Sequence, residues 1–274
     1  MIAPTLPHVD DIAAVFGDVF APIADWNVAL TAALGSPTAR TRRHIDAVVE
    51  GLVRPELARE GSLVVGAGFV AAPDFLADAP WHLAWWLGQG NSFGSDPGSS
   101  AGSSAGGRRA SGRHAVRRLE AVEDPASDSF RDHTTLEWWR VPERTGHRHI
   151  TGPYVDYLCT DDYTLTITDP VFVDGTLVGV VGADVYVTDA ERVLLPALRR
   201  LGGDASLINA SGRIVVSTDP RLATGALLRD PAVTDAVRDV AHGASVVLPD
   251  GRRVTAVGDT SLAVITSSTA DSAR

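Results

Sequence analysis

From Asp10 to Leu34 the apolar residues Ile12, Val15, Phe16, Val19, Ile23, Trp26, Leu30 and Leu34 recur at intervals of three and four, the period of one helix face. Asp10 and Asp11 stand where the helix dipole favours negative charge. The pattern predicts a long amphipathic helix, bent at Pro22. Gly35-Ser36-Pro37 breaks it, and Thr38 is placed to cap a second helix with Ile45, Val48, Val49 and Leu52 on one face, stopped by Pro55. The pattern then turns extended. Ser62-Leu63-Val64-Val65 is a short β-type run, and Trp81-His82-Leu83-Ala84-Trp85-Trp86 is read as the next strand. Residues 88–112 are mostly Gly, Ser, Ala and Arg, a composition that cannot bury enough apolar area to offset its ordering entropy. They are expected to form a disordered loop, inserted within a domain, with a linker between domains as the alternative.

Beyond His114 a strand is expected from Val116 to Val122, then a helix after Asp124-Pro125-Ala126 that ends in Leu136-Glu137-Trp138-Trp139-Arg140. Tyr163, Leu165 and Ile167 alternate with Thr164, Thr166 and Thr168, which predicts a half-buried strand. Asp174-Gly175 is a tight-turn signal, and the return strand runs from Leu177 to Val187. Thr188-Asp189-Ala190-Glu191 reads as a capping box for a helix through Leu194, Leu195 and Leu198, closed by Gly202-Gly203. A second unit follows, with strands at 205–209, 213–217, 245–248, 252–257 and 262–266 and a helix near 233–241. Glycines at turns 175, 212 and 251 make a weak internal repeat, consistent with two related sheet modules. The fold class is therefore α+β. The expected division is N-terminal helices at 1–58, a first module at 59–190 and a smaller second module at 191–274.

The 274 residues are long enough for one large domain or two smaller ones. Net charge is −10, and all 24 basic residues are Arg. Nucleic acid is an unfavourable partner for such a surface. Without lysine, Schiff-base chemistry and a phosphate-loop lysine are excluded. Cys159 is the single cysteine, so no intramolecular disulfide forms and no multi-cysteine zinc site exists. No run approaches about 18 consecutive apolar residues, and the N-terminus lacks a basic signal-peptide region. These features lead to the expectation of a soluble, cytoplasmic protein without a membrane partner.

Gly66-Ala67-Gly68-Phe69-Val70-Ala71 fits a dinucleotide fingerprint, but Pro73 follows at once where a helix is required, so close strand packing is the better reading. His147-Arg148-His149 supplies only two ligands of a tetrahedral metal site, and no metal or cofactor is expected. The remaining constellation is Trp138, Trp139, Tyr154, Asp156 and Asp184. Asp184 interrupts the apolar strand Leu177–Val185, where an inward carboxylate is costly unless it meets a cation. With Tyr154 and Asp156 on one strand face and the tryptophans opposite, these residues would form an aromatic box suited to an ammonium group. The alternative is that the tryptophans are core and Asp184 is an exposed acid beside a turn.

The run Trp138-Trp139, Gly152-Pro153-Tyr154-Val155-Asp156, Thr164-Leu165-Thr166-Ile167-Thr168, Asp174-Gly175 and Gly179-Val180-Val181-Gly182-Ala183-Asp184-Val185 resembles the signature of double Cache domains, of the amine- and amino-acid-binding type. Asn209 to Pro220 is similar to the opening hairpin of their second module. The resemblance spans most of residues 10–267. It implies a long N-terminal helix followed by two PAS-like antiparallel-sheet modules, with a small molecule held in the first. It further implies that Trp139, Tyr154 with Asp156, and Asp184 hold the ligand ammonium, with Trp138 supplying its indole. Where amino-acid binders of this family carry an Arg two residues before the tryptophan, this chain has Leu136, so an amine without a carboxylate is the simpler ligand unless Arg140 or Arg118 substitutes.

The sequence is thus read as a non-enzymatic sensor of a small amine or amino acid that signals to a separate regulator protein, with a homodimer through the N-terminal apolar stripe. Two other classes stay open. One is an enzyme using Asp156 or Asp184 with His147 or His149 as acid and base; the other is an adaptor whose pocket is filled by its own side chains.

Overall fold

Two antiparallel sheets share a single helical spine. The computed structural model describes residues 2–3, 6–36, 38, 40–89, 91, 115–155, 162–240 and 243–267. Asp156, Cys159 and nearly all of the Gly/Ser-rich stretch therefore lie outside the described residues.

Helix α1 (Val9–Leu34) buries Val9, Ile12, Phe16, Val19, Phe20, Ile23, Trp26, Leu30 and Leu34, the three-and-four stripe read from sequence. Helix α2 (Arg42–Ala58) packs beside it through Ile45, Val49, Val53 and Leu57. Its N-cap is Thr41 rather than Thr38, and the helix runs through Pro55 instead of stopping there.

The first sheet contains β2 (Val64–Ala71), β3 (Leu83–Leu87), β4 (Arg117–Arg118), β5 (His149–Val155), β6 (Tyr163–Val173) and β7 (Thr176–Tyr186). Their order is β4-β3-β2-β7-β6-β5, with every neighbouring pair antiparallel. The strand expected over 116–122 is only the two residues of β4. The helix expected to end at Arg140 instead begins near there: a 3-10 turn at His133–Thr135 precedes α3 (Glu137–Thr145).

Strand β7 runs directly into α4 (Val187–Arg200), whose N-cap is Tyr186 and makes no side-chain cap bond, so the capping box at Thr188 is not used. The second sheet contains β8 (Ala205–Asn209), β9 (Ile214–Ser217), β10 (Ser245–Val247), β11 (Arg253–Ala256) and β12 (Leu262–Thr266). The short N-terminal β1 (Ile2–Ala3) extends its edge by pairing with β10, so the start of the chain reaches back to the second module. Helix α5 (Pro231–Asp239) covers one face of this sheet and α4 the other. The turn glycines Gly175, Gly212 and Gly251 have φ of 77°, 77° and 86°, left-handed backbone that a Cβ disfavours.

One continuous apolar core runs from α1 and α2 through the first sheet and α4 into the second sheet. The stripe of α1 packs on β6, β7, α2 and α4, so it does not leave the free face through which a second copy was expected to dock. Gly68 in β2 confirms the close-packing reading of the Gly-x-Gly run: a Cβ there would lie 2.1 Å from Ala84 O and 2.7 Å from Trp85 Cα.

A buried polar knot ties α2 to the sheet. The His82 ring is fully buried, with Nε2 2.9 Å from Asp46 Oδ1 of α2 and Nδ1 2.9 Å from Glu123 Oε1. Arg118 donates to the same Asp46 oxygen at 3.1 Å, and Arg42 pairs with Glu123. Burial alone would raise the Glu123 carboxyl, but the His82 contact, the Leu83 N–H and Arg42 outweigh it and hold the group below the usual carboxylate range. Replacing His82 with Ala leaves Asp46 and Glu123 facing a void. A loss of about 1–3 kcal/mol is expected in urea denaturation, reduced from the fully buried case because both carboxylates retain some solvent. An unchanged midpoint would show that Arg42 and Arg118 alone hold the knot.

Candidate ligand-binding site

The register of the first sheet sorts its residues onto two faces, because alternate side chains point to opposite sides. Ala67, Phe69, Ala71, Ala84, Trp86, Leu165, Ile167, Val181, Ala183 and Val185 face α1 and α2 and belong to the main core. The other face carries Gly66 opposite Asp184 and Leu87, Gly68 opposite Gly182 and Trp85, and Val70 opposite Val180 and Leu83. Thr164, Thr166 and Thr168 continue it on β6, opposite Tyr186, Asp184 and Gly182. On β6 the threonine side was the polar half of a strand read as half-buried. Instead α3 covers it, and the three threonines are buried.

Trp138 and Trp139 lie on the inner side of α3, at 8% and 1% exposure, within an apolar cluster that includes Trp85, Val70, Leu87, Leu119 and Val180. Thr168 Oγ1 donates to Trp138 O at 2.8 Å and fixes the start of α3 to β6. On β5 the register shifts between Thr151 and Tyr154. Gly152, at φ 110°, permits this bulge, since a Cβ there would lie 2.5 Å from Thr164 O.

The bulge brings Tyr154 over the threonines. Its hydroxyl is 2.7 Å from Thr166 Oγ1, which donates to Asp184 Oδ1 at 2.7 Å. Thr166 has one hydroxyl proton and gives it to the carboxylate, so Tyr154 is the donor in the first of these bonds. Asp184 is 1% exposed. The reading of Asp184 as an exposed acid beside a turn is therefore overturned: its side chain is internal, on the face bearing the tryptophans. Trp138, Trp139, Tyr154 and Asp184 share this side of the sheet, while the Asp156 assignment lies outside the described residues.

Neither arginine named for a ligand carboxylate is in place. Arg118 is opposite Trp86, on the face toward α2, where it donates to Asp46 and Leu83 O. Arg140 is exposed on the outer side of α3. His149 is 2.9 Å from Glu137, and His147 is exposed. Among the described residues no group of three or more His, Cys, Asp or Glu is arranged to hold a metal.

Three residues at this site were not singled out in the sequence. Thr166 was hidden within an alternating strand whose polar face was assumed to be wet. Trp85 was read only as strand hydrophobicity, yet its indole Nε1 is buried without a hydrogen-bond partner, as is that of Trp139. Such a buried donor costs about 1–3 kcal/mol until an acceptor arrives. His133 carries no sequence signal at all. It packs 5.0 Å from Trp139 and 6.0 Å from Trp138 between ring centroids, and burial pulls its imidazole down to about 4, against weaker opposing effects from Asp132 and the Ala71 backbone. The ring is neutral at pH 7, so His133 adds no positive charge to the aromatic wall.

Residues 117–191 match the family model described as the methyl-accepting chemotaxis protein-like, first PDC sensor domain. No curated protein sequence matches the chain. Solved structures with the same fold include the extracellular domain of mmHK1S-Z2, described as a histidine kinase, at 14% identity over 94% of this chain and 91% of that one, with a TM-score of 0.57. The ligand-binding domain of Pseudomonas fluorescens chemoreceptor CtaA, in complex with L-valine, is 16% identical over 96% and 93%, TM-score 0.51. That of Pseudomonas aeruginosa PctB, in complex with L-Arg, is 14% identical over 97% and 92%, TM-score 0.51. The long helix, the two antiparallel PAS-like modules and the matched first module together give the chain its place: it has the double Cache fold of sensor domains.

Proposed function

We propose that this chain is the ligand-reading domain of a sensor that takes a small amine or amino-acid-like molecule in its first module and carries out no chemistry on it. The observation that carries the reading is the buried Asp184 carboxylate, held by Thr166 and Tyr154 on the face where α3 places two tryptophans. An acid so placed is stabilised by a cation, and aromatic faces favour an ammonium over water. Cation–π contact and a charge-assisted hydrogen bond contribute about 0.5–2 and 1.5–3 kcal/mol, enough together for micromolar recognition when the shape fits.

The fold offers a route for the signal. Asp184 stands two residues before the end of β7, which continues without a loop into α4, and α4 packs on α1 and on β8 and β9 of the second module. A shift of β7 on ligand binding would move the helix shared by both modules. The receiver of that shift is a separate regulator or a further part of a receptor. Neighbours whose names place them in chemoreceptors and in an extracellular kinase domain support a site outside the cytoplasm over the cytoplasmic one expected from composition. Helix α1 is long and apolar enough by length and hydropathy to cross a membrane, although its buried stripe is engaged by the sheet.

A thermal-shift screen of amines, amino acids and small carboxylates tests the reading. The expected result is a rise in melting temperature with at least one ammonium compound and its disappearance in Asp184→Ala, because a ligand stabilises by its preference for the folded state. The same rise in both proteins would move the site elsewhere. No rise from any compound would favour the adaptor, and turnover of a binding compound would favour the enzyme.

A further inference from the structure

Strand β5 is the outer strand of the first sheet, and the second module meets it there: Asn209 Nδ2, at the end of β8, donates to Gly152 O at 2.7 Å. Beside this contact, residues 151–155 of β5, the first turn of α3 and the turn between β8 and β9 line a cavity of about 520 Å³. That volume is in the range of small-molecule sites. The cavity belongs to both modules, and two features of it point to a ligand.

The first is Thr151. It lines the cavity at 6% exposure, and its Oγ1 has no hydrogen-bond partner. A buried hydroxyl in this state calls for a polar atom from outside the chain. The second is Arg213, which lines the same cavity from the second module. Its Nη1 donates to Gly225 O at 2.8 Å, and the Tyr163 ring lies against that glycine, since a Cβ there would fall 2.8 Å from Tyr163 Cε1. The guanidinium is thus held beside Tyr163, itself part of the cavity wall. Arg213 makes no ion pair among the described residues, and its fork has further N–H groups to give.

These groups define a ligand chemistry. Glu137 also lines the cavity, where His149 engages it at 2.9 Å, so a single guanidinium with a carboxylate nearby suits one negative charge better than two. Trp138, Tyr154 and Tyr163 offer flat apolar surface to a ring. Thr151 pairs with Thr166, three residues along β6 from Tyr163, so the two anchors stand about 10 Å apart along the sheet. A molecule that meets both is elongated and polar at each end.

We propose that the module boundary holds a second ligand site, for an aromatic monocarboxylate whose carboxylate pairs with Arg213 and whose far end carries a hydroxyl that bonds Thr151. Because Thr151 belongs to the first module and Arg213 to the second, such a ligand ties β5 to the β8–β9 turn. The site needs no ammonium and does not rest on the role given to Asp184.

Isothermal titration of the full chain tests it with benzoate, 4-hydroxybenzoate, 3-phenylpropionate, 3-(4-hydroxyphenyl)propionate and their four carboxamides. At least one hydroxylated acid is expected to bind at least tenfold tighter than its carboxamide. Arg213→Gln should bring the two within about threefold. Thr151→Val should weaken the hydroxylated acid at least fivefold and its unsubstituted parent less than twofold. Acid and carboxamide of equal affinity, a preference unchanged in Arg213→Gln, or binding by none of the eight compounds would each overturn the proposal. A hydroxylated acid indifferent to Thr151→Val would overturn the placement of its far end.

Asp184→Asn separates this site from the ammonium site: the acid should keep its affinity within about threefold there. An acid lost in Asp184→Asn and retained in Arg213→Gln would place it elsewhere and overturn the proposal. Should Thr151→Val fail to fold, Ser211→Trp gives a second readout, because Ser211 is exposed and lines the cavity. Filling the space from that side should abolish acid binding with the melting temperature unchanged, whereas full binding in a folded Ser211→Trp protein would overturn the site.

Discussion

Trp139→Ala is expected to destabilise the protein by about 3–5 kcal/mol and to remove its thermal response to ligand. The indole is 1% exposed and stands in the cluster formed by α3 with β2, β3 and β7. Truncation removes a large buried area and leaves a cavity that neighbouring strands, fixed by their ladders, cannot close. Trp139→Phe keeps much of the area and should cost clearly less. Urea denaturation of both variants, followed by far-UV circular dichroism, measures the difference. A loss below about 1 kcal/mol in the Ala variant would mean that α3 does not seal this face of the sheet.

Acidification is expected to cost about 3 kcal/mol through His133 alone. Its imidazole lies at about 4 in the folded protein against an ordinary value of 6.5, because burial among tryptophans disfavours the charged ring. Above pH 6.5 the ring is neutral in both states and stability does not depend on it. As pH falls below 6.5 the unfolded chain takes up a proton that the folded chain refuses until about pH 4, so stability is lost across that window and not further below it. Glu56 and Glu123, both held below the usual carboxylate range, add their own losses at the acid end. The His133 contribution is therefore read as a difference between wild type and His133→Phe in denaturant midpoints from pH 7.5 to 4. Parallel profiles would show that the ring is hydrated and free to protonate.

The sequence carried the helix–sheet order well, and its errors have specific causes. Pro55 was read as a stop, but a proline within the last turn of α2 removes one N–H bond from a helix whose apolar face is already anchored on β2 and β3. The capping box at Thr188 was displaced because β7 feeds α4 directly, so the helix starts at Val187. The helix around Trp138 was placed too early because tryptophan spacing marks a buried face and not an end; Asp132 caps only the short turn before it, accepting from Thr134 N. The α1 stripe was legible, but what covers it was not. A stripe of that width fits a second copy or the chain's own sheet equally well, and only the topology shows that β6, β7, α2 and α4 meet it.

The site divides the same way. Trp138, Trp139, Tyr154 and Asp184 could be named from spacing and from the family resemblance, since each sits at a fixed offset within one strand or helix. Thr166 needed strand register, Trp85 needed the pairing of β2 with β3, and His133 needed the packing of one turn against three indoles. The side on which Arg118 lies also needed the register, since the strand read over 116–122 shortens to two residues paired with Trp86 and Leu87.

By itself the sequence determined the α+β class, the period of every long element, the absence of lysine and disulfide chemistry, and a carboxylate inside an apolar strand. These are local properties, set by side-chain type and by neighbours within about ten residues. The tertiary structure decided which sheet face is covered, that Tyr154, Thr166 and Asp184 form one hydrogen-bonded chain, that Trp85 points an unused donor toward Gly66, and that Arg118 turns away. Each of those depends on strand pairing across many tens of residues, and a shift of one residue in that pairing would have sent every side chain concerned to the opposite face.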